Sequence, residues 1–301
     1  MYSGSITDIS AIKLGHYTDN EAKTGCTVII AENGAVCGVD VRGSAPGTRE
    51  TDLMRPCNLV THANAIMLSG GSAFGLEAAC GAMRYLADMG KGMKTGAGVV
   101  PIVGSAVIYD LEEGSFAYPD IEAGIAACKA AGESPEFGLV GAGTGARVGK
   151  MAGKPGRGGI GSASITLKNG VIVAAVFVVN AVGDVIDHRT GKILSGATNE
   201  NGDFINCVDA IIDNSSVNKI INTNTVIGVV ATNAKLTKEQ ANKMARVGQD
   251  GIAMSVRPSH TMFDGDTVFA MATEEAEGDF TTILTLTSEV AARAIQNAVL
   301  K

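Results

Sequence analysis

Apolar runs broken by asparagine–glycine pairs set the pattern of this chain. Thr27-Val-Ile-Ile-Ala31 leads to Asn33-Gly34 and then to Val36-Cys-Gly-Val-Asp-Val41, and Ala163-Ser-Ile-Thr-Leu167 leads to Asn169-Gly170 and then to Val171 through Val179. Both read as β-hairpins closed by type I′ turns, whose two central residues need positive φ. The last of these runs is apolar at every position, which suits a strand in a sheet covered on both faces. A further run, Thr225-Val-Ile-Gly-Val-Val-Ala-Thr232, follows the polar stretch Asn222-Thr-Asn224.

Helical spacing appears between and after these runs. Ser72 is placed to cap a helix to about Asp88, with Leu76, Ala79, Cys80, Met83 and Leu86 on one stripe before Gly90. Asp120 caps a second helix to Ala131, and Thr237-Lys-Glu-Gln240 is a capping box opening a third to about Met254. A last helix from about Ser288 carries Ala291, Ala294, Ile295 and Ala298 on one side. Strands and helices mix without strict alternation, so the pattern predicts an α+β fold, a mainly antiparallel core layered with helices, rather than a doubly wound sheet. With no repeat and no low-complexity linker, residues 1–301 read as a single domain.

Composition narrows the partners. The longest uninterrupted apolar stretch is far shorter than the roughly 20 residues of a bilayer-spanning helix, and the N-terminus lacks the pattern of a secretion signal, so the reading is cytoplasmic, with no membrane association. A net charge of −7 and the absence of Trp leave no basic stripe or stacking platform, which argues against nucleic acid. Cysteines 26, 37, 57, 80, 128 and 207 never form Cys-x-x-Cys and read as reduced packing residues, with no metal site expected.

Several segments carry candidate chemistry. Gly141-Ala-Gly-Thr-Gly145 fails the spacing of a dinucleotide loop, and no acidic residue between Ile160 and Asn180 is available for a ribose, so no cofactor is expected. In Gly70-Gly-Ser-Ala-Phe-Gly75 the last Gly is one position late for a nucleophile elbow. The histidines, at positions 16, 62, 188 and 260, have no spacing that supports a Ser-His-Asp triad. Thr225 is different, because a cut after Asn224 would give it a free α-amine beside its hydroxyl, uniting nucleophile and base in one residue.

Asp264-Gly265-Asp266 would set two carboxylates on one side of an extended segment about 7 Å apart. Their repulsion, about 2.4 kcal/mol at an effective dielectric of about 20, is relieved by a cation between them. That cation is a metal, Lys150 or the new amine of Thr225; the ordinary reading is a solvated turn. Lys150, in Gly149-Lys-Met-Ala-Gly153, and Asn180, at the end of the apolar strand, are a candidate ammonium and a candidate oxyanion amide, and ordinary readings exist for both: a surface lysine and a turn residue.

Together with Gly43-Ser-Ala-Pro-Gly-Thr-Arg-Glu-Thr-Asp52, Leu68-Ser-Gly-Gly-Ser-Ala-Phe-Gly-Leu76, Val140-Gly-Ala-Gly-Thr-Gly-Ala146 and Phe263-Asp-Gly-Asp-Thr267, the Asn224 to Thr232 segment resembles the L-aminopeptidase/D-esterase family of self-processing hydrolases, which includes β-peptidyl aminopeptidases and nylon-oligomer hydrolases. The resemblance implies a four-layer αββα sandwich, a precursor cut into an α chain of residues 1–224 and a β chain of residues 225–301, and a homotetramer or larger assembly. It implies Thr225 as nucleophile, Asn180 as the oxyanion amide, Lys150 as an active-site lysine, Asp264 and Asp266 as the pair that orients the Thr225 hydroxyl and amine, and Tyr109 as a residue lining the site.

The substrate it implies is a small peptide, an amino-acid amide or a related oligoamide. Some members cut at Gly-Ser, whereas Asn-Thr is closer to the nylon-oligomer branch. Two other readings stand beside hydrolysis: acyl transfer of the ornithine acetyltransferase type, whose Lys-Gly-x-Gly-Met segment is absent, and an unprocessed binding protein. Asn222-Thr223 repeats the dipeptide, so the first residue of the β chain is Thr225 or Thr223.

Overall fold

A computed structural model of the chain describes residues 1–213 and 224–300. Thr223, the alternative first residue of the β chain, lies outside them. The principal sheet has nine strands: β1 (Ile12–Asp19), β2 (Thr24–Val41), β3 (Thr48–Arg49), β4 (His62–Ser69), β5 (Val103–Val107), β6 (Gly159–Thr166), β7 (Ile172–Asn180), β8 (Thr225–Ala234) and β9 (Thr267–Ala276). The helices are α1 (Ala78–Asp88), α2 (Ile121–Lys129), α3 (Cys207–Ile212), α4 (Lys238–Ser255) and α5 (Phe280–Leu300). Strand order is β6-β7-β8-β9-β2-β4-β5-β3, with β1 on β2. Pairing is antiparallel except for β8 with β9 and β4 with β5.

Alternation along these strands builds the layers. Val173, Ala175, Phe177 and Val179 of β7, Val226 and Val230 of β8, and Val268 and Ala270 of β9 pack with Met244, Ala245 and Ile252 of α4 and Val290, Ala291, Ala294 and Ile295 of α5. Their alternates Val176, Val178, Ile227, Val229, Phe269 and Met271 meet Leu14, Ile29, Ile66 and Leu68 from the other half of the sheet. Cys26, Val28, Ile30, Ala65 and Met67 point the opposite way, onto Ala79, Ala82 and Leu86 of α1 and Ala123 and Ala127 of α2. Three successive apolar interfaces thus separate four layers, helices, sheet, sheet and helices, which is the αββα sandwich.

The strand that joins the two halves departs from the expected first hairpin. Thr24–Val41 is one strand, and Asn33-Gly34 marks a shift of register on β4 between Ile30, opposite Ala65, and Ala35, opposite Ala63. The left-handed φ of 82° at Gly34 serves a bulge that redirects the strand, not a reversal. The N-terminal part of β2 pairs with β1, and the C-terminal part with β9.

The second hairpin forms as β6 and β7, but only Gly170 has positive φ, and the Gly170 amide bonds to the Leu167 carbonyl at 3.0 Å. The connection is therefore a turn ending in one left-handed glycine, not a type I′ turn.

Ser72 does not cap: it opens a 3-10 turn, Ser72–Glu77, without a side-chain cap bond, and α1 follows. Asp120 and the Thr237/Gln240 capping box act as expected. Helix α5 starts at Phe280, well before Ser288, because the Thr285 and Thr287 hydroxyls bond back to the Thr281 and Ile283 carbonyls and so fit within the helix. All six cysteines are free, and Cys26, Cys37, Cys128 and Cys207 are buried. Among the described residues no helix is long and apolar enough to cross a membrane.

Candidate active site

Strand directions bring the candidate residues to one end of the sheet. Because β7 and β8 are antiparallel, the last residue of one, Asn180, lies opposite the first of the other, Thr225. Because β8 and β9 are parallel, the turn leading into β9 lies beside the start of β8, and Asn224 bridges Asp264. Asn224, Thr225, Asn180, Asp264 and Asp266 are all buried, with Thr225 5% exposed and each aspartate 1%.

The bond between residues 224 and 225 is held from several sides. The Thr225 hydroxyl donates to the carbonyl oxygen of Asn224, and the Gly265 amide donates to the same oxygen at 3.1 Å. A Cβ on Gly265 would come within 2.9 Å of Thr225 Oγ1 and 2.7 Å of the Ala45 carbonyl, so this approach requires glycine. The Asn224 side chain is buried with neither its Oδ1 nor its Nδ2 hydrogen-bonded among the described residues. An unsatisfied buried polar group of this kind costs about 1–3 kcal/mol.

Asp266 and Asp264 differ in their partners. Asp266 Oδ1 accepts from the Val226 amide at 2.7 Å, and Oδ2 accepts from the His260 amide at 3.2 Å and from His260 Nδ1 at 2.7 Å. Asp264 Oδ2 accepts from the amide and hydroxyl of Thr261, at 2.8 and 2.6 Å. Burial, with the neighbouring charge of Asp266, pushes the Asp264 carboxyl up to about 6. The solvated turn is therefore not what forms: both carboxyls are buried, and that of Asp266 bonds to the start of β8.

Lys150 reaches the site through Asn180, donating to its Oδ1 at 2.8 Å, where the Arg147 amide also donates at 3.0 Å. Asn180 Nδ2 donates to the carbonyl of Tyr109 at 3.0 Å. Burial brings the Lys150 ammonium down to about 7 against the opposing pull of Glu113, Asp264 and Asp110. Tyr109 thus touches Asn180 through its backbone, while its hydroxyl bonds to Glu112 at 3.0 Å. Its side chain, with Asp110, Glu112, Glu113, Lys150 and Pro155, lines a cavity of about 130 Å³. A larger cavity of about 600 Å³, around Lys154, Thr198 and Glu200, contains none of these site side chains.

The two glycine-rich segments meet beside Tyr109. The buried Asp110 carboxylate accepts from the Gly71 amide at 2.7 Å and the Thr24 hydroxyl at 2.8 Å. A Cβ on Gly70 would lie 2.1 Å from its Oδ2, and one on Gly145 would lie 2.8 Å from its Cβ. One glycine of each segment thus closes over this side chain, while Gly71 is pressed against Tyr118, Gly75 against the Gly70 carbonyl, Gly141 against His16 and Thr27, and Gly143 against the Ile160 amide.

Two participants escaped the sequence reading. His260 counted there only as a histidine without triad spacing, and the signal was its place four residues before Asp264 in the same loop. The Gly265 amide, a backbone group, left no signal beyond a glycine between two aspartates.

Comparisons with known proteins bear on the family and the fold. The profile of peptidase family S58 matches residues 4–301. A protein of Mycobacterium leprae described as an uncharacterized aminopeptidase is 44% identical, over 92% of this chain and 80% of that one. The 6-aminohexanoate-oligomer endohydrolase of Paenarthrobacter ureafaciens is 32% identical, over 90% of this chain and 75% of its own. Among solved structures, a beta-aminopeptidase of Burkholderia sp. superposes with a TM-score of 0.73 at 20% identity, covering 98% of this chain and 85% of that one. The L-aminopeptidase D-Ala-esterase/amidase of Ochrobactrum anthropi, described as a variant of the Ntn hydrolase fold, superposes with a TM-score of 0.73 at 17% identity, over the same 98% and 85%.

Proposed function

Since the chain belongs to peptidase family S58 and is a hydrolase, we propose that it cuts its own bond between Asn224 and Thr225 and then hydrolyses small amides through an ester on Thr225. The observation that carries this reading is the Thr225 hydroxyl set against the carbonyl of residue 224, whose oxygen is also held by the Gly265 amide.

In the first reaction Thr225 Oγ1 bonds to the carbonyl carbon of Asn224, and the C–N bond breaks. The hydroxyl proton passes to the departing nitrogen, and water then hydrolyses the ester. The Gly265 N–H is aligned to hold the oxygen as it gains charge. The unsatisfied Asn224 amide raises the energy of the uncut state, and its release favours the cut. The products are residues 1–224 and 225–301.

In turnover the freed amine of Thr225, with a reference pKa of about 7.7–8.0, takes the hydroxyl proton and returns it to the leaving amine. Lys150 and Asn180, joined at 2.8 Å, are the donors for the oxyanion of the substrate. Asp264 and Asp266 orient the amine. The substrate class is small peptides, amino-acid amides and oligoamides such as those of 6-aminohexanoate, by likeness to the relative that acts on such oligomers.

Intact-mass analysis and N-terminal sequencing test the cut: wild type yields a small chain beginning at Thr225, and Thr225→Ala stays whole and inactive. An active, uncut Thr225→Ala chain refutes the proposal, and a small chain beginning at Thr223 refutes the register. Adding amine acceptors to an amide assay separates hydrolysis from acyl transfer, with free acid as the expected product.

A further inference from the structure

Two carboxylates one residue apart, each 1% exposed, do not ionise independently: burial and mutual repulsion favour a state in which one holds a proton. Which one does so is decided by donors. Asp266 receives three N–H groups, two of them from His260, whereas Asp264 receives one N–H and one hydroxyl from Thr261. A hydroxyl can turn to accept from a protonated carboxyl, but an N–H cannot.

His260 is built for this task by its backbone. Its φ of 56° is left-handed, and in this conformation both its own amide and its Nδ1 reach the same oxygen of Asp266. The imidazole side chain is 17% exposed.

The structure assigns His260 as a positioning residue: its Nδ1–H fixes Asp266 as the charged member of the acidic pair and leaves Asp264 as the member that exchanges a proton beside Thr225. This rests on the proposed role of Thr225.

The charges around the ring fit the assignment. Burial alone would lower the basicity of His260, but the hydrogen bond and charge of Asp266, with the Gln249 backbone carbonyl, outweigh it and raise the pKa above 6.5; Arg42 opposes them. The His260 charge in turn lowers the Asp264 pKa, against the burial and Asp266 repulsion that raise it. Removing the imidazolium therefore raises the proton affinity of the pair, and the acidic limb of the rate profile moves to higher pH.

The test compares His260→Ala with His260→Asn, since Asn tolerates positive φ and retains an amide donor but no charge. On a small amide substrate, His260→Ala is expected to lower kcat by about 10- to 100-fold, the loss of one hydrogen bond to a charged group, with KM little changed. His260→Asn is expected to recover most of the plateau kcat while its acidic limb stays displaced upward. Wild-type kcat and limb in both variants overturn the assignment, and if the Ala variant does not fold, an undisplaced limb in His260→Asn does so alone.

A readout independent of activity separates this from failure of the Thr225 reading. Imidazole NMR of the uncut Thr225→Ala chain should show His260 titrating above the ordinary 6.5, and Asp266→Asn should bring it down. A His260 titration that ignores Asp266→Asn overturns the assignment, whereas an inert wild type with the expected titration overturns only the proposed function.

Discussion

Replacing Lys150 by Met in an uncut Thr225→Ala background tests the electrostatics of the site without any assumption about its chemistry. Burial holds the ammonium at about 7 in the folded protein against the ordinary lysine value of 10.5. The unfolded chain therefore binds more protons than the folded one between these values, and stability rises with pH in this window. At pH 7 the folded protein forgoes about 4 kcal/mol relative to full stability at high pH, and at pH 9 about 2 kcal/mol, at about 1.36 kcal/mol per pKa unit. Lys150 should thus make the protein about 2 kcal/mol more stable at pH 9 than at pH 7, after subtraction of the same difference in Lys150→Met.

Met matches the length of the chain it replaces, and Asn180 Oδ1 keeps the Arg147 amide as a donor. Groups remote from Lys150 titrate equally in both proteins and cancel, and Asp264 and Asp110, which feel its charge, titrate at about 6, below the two pH values compared. Thermal unfolding at the two pH values reads the difference as about 4 °C or more, using about 2–4 °C per kcal/mol for a domain of this order of size. Equal pH slopes in the two proteins would show that the ammonium is not desolvated as described, and the basis for an amine titrating near neutrality in this site would fall.

The other predictions follow from individual contacts. Asn180→Ala removes the acceptor of Lys150 and Arg147 and should slow amide turnover by about 10²–10³ while leaving the self-cut intact, because the Asn224 carbonyl is held by Gly265; an assay of the purified two-chain form reads this. Gly265→Ala sets a methyl against Thr225 Oγ1 and the Ala45 carbonyl and should retard the appearance of the small chain in a time course by intact mass; cutting at the wild-type rate would contradict the geometry. Asp110→Ala strands the Gly71 amide and the Thr24 hydroxyl and should cost about 2–4 kcal/mol of stability, measured by denaturation of the uncut chain.

The elements that the sequence made legible are those whose cause is local. The apolar run of β7 needs only its own composition to be read as a buried strand, and Asp120 and Thr237 cap helices through side chains within one turn. Asn33-Gly34 misled because its local preference for a turn is real, but β2 has partners on both sides that keep it extended and leave only a bulge. The early part of α5 was hidden by threonines, which favour strands until their hydroxyls find carbonyls one turn back. Asn224, Thr225, Lys150, Asn180 and the aspartates were nameable as residue types, but the register of Asn180 opposite Thr225, and the partition of donors between Asp264 and Asp266, depend on three strands from distant parts of the chain. His260 acts through a single left-handed residue, which its type does not announce.

The position of β8 between β7 and β9 has a consequence for the life of the mature protein. Under the proposed cut, the small chain would own two adjacent inner strands and both helices of one outer layer, α4 and α5, so neither chain keeps a complete hydrophobic core without the other. Folding before the cut is a unimolecular event, but refolding after it requires two chains to meet. The mature enzyme would then be preserved by the slowness of its unfolding rather than by ready renaturation, and recovery from denaturant should depend on protein concentration for the cut form but not for the Thr225→Ala chain.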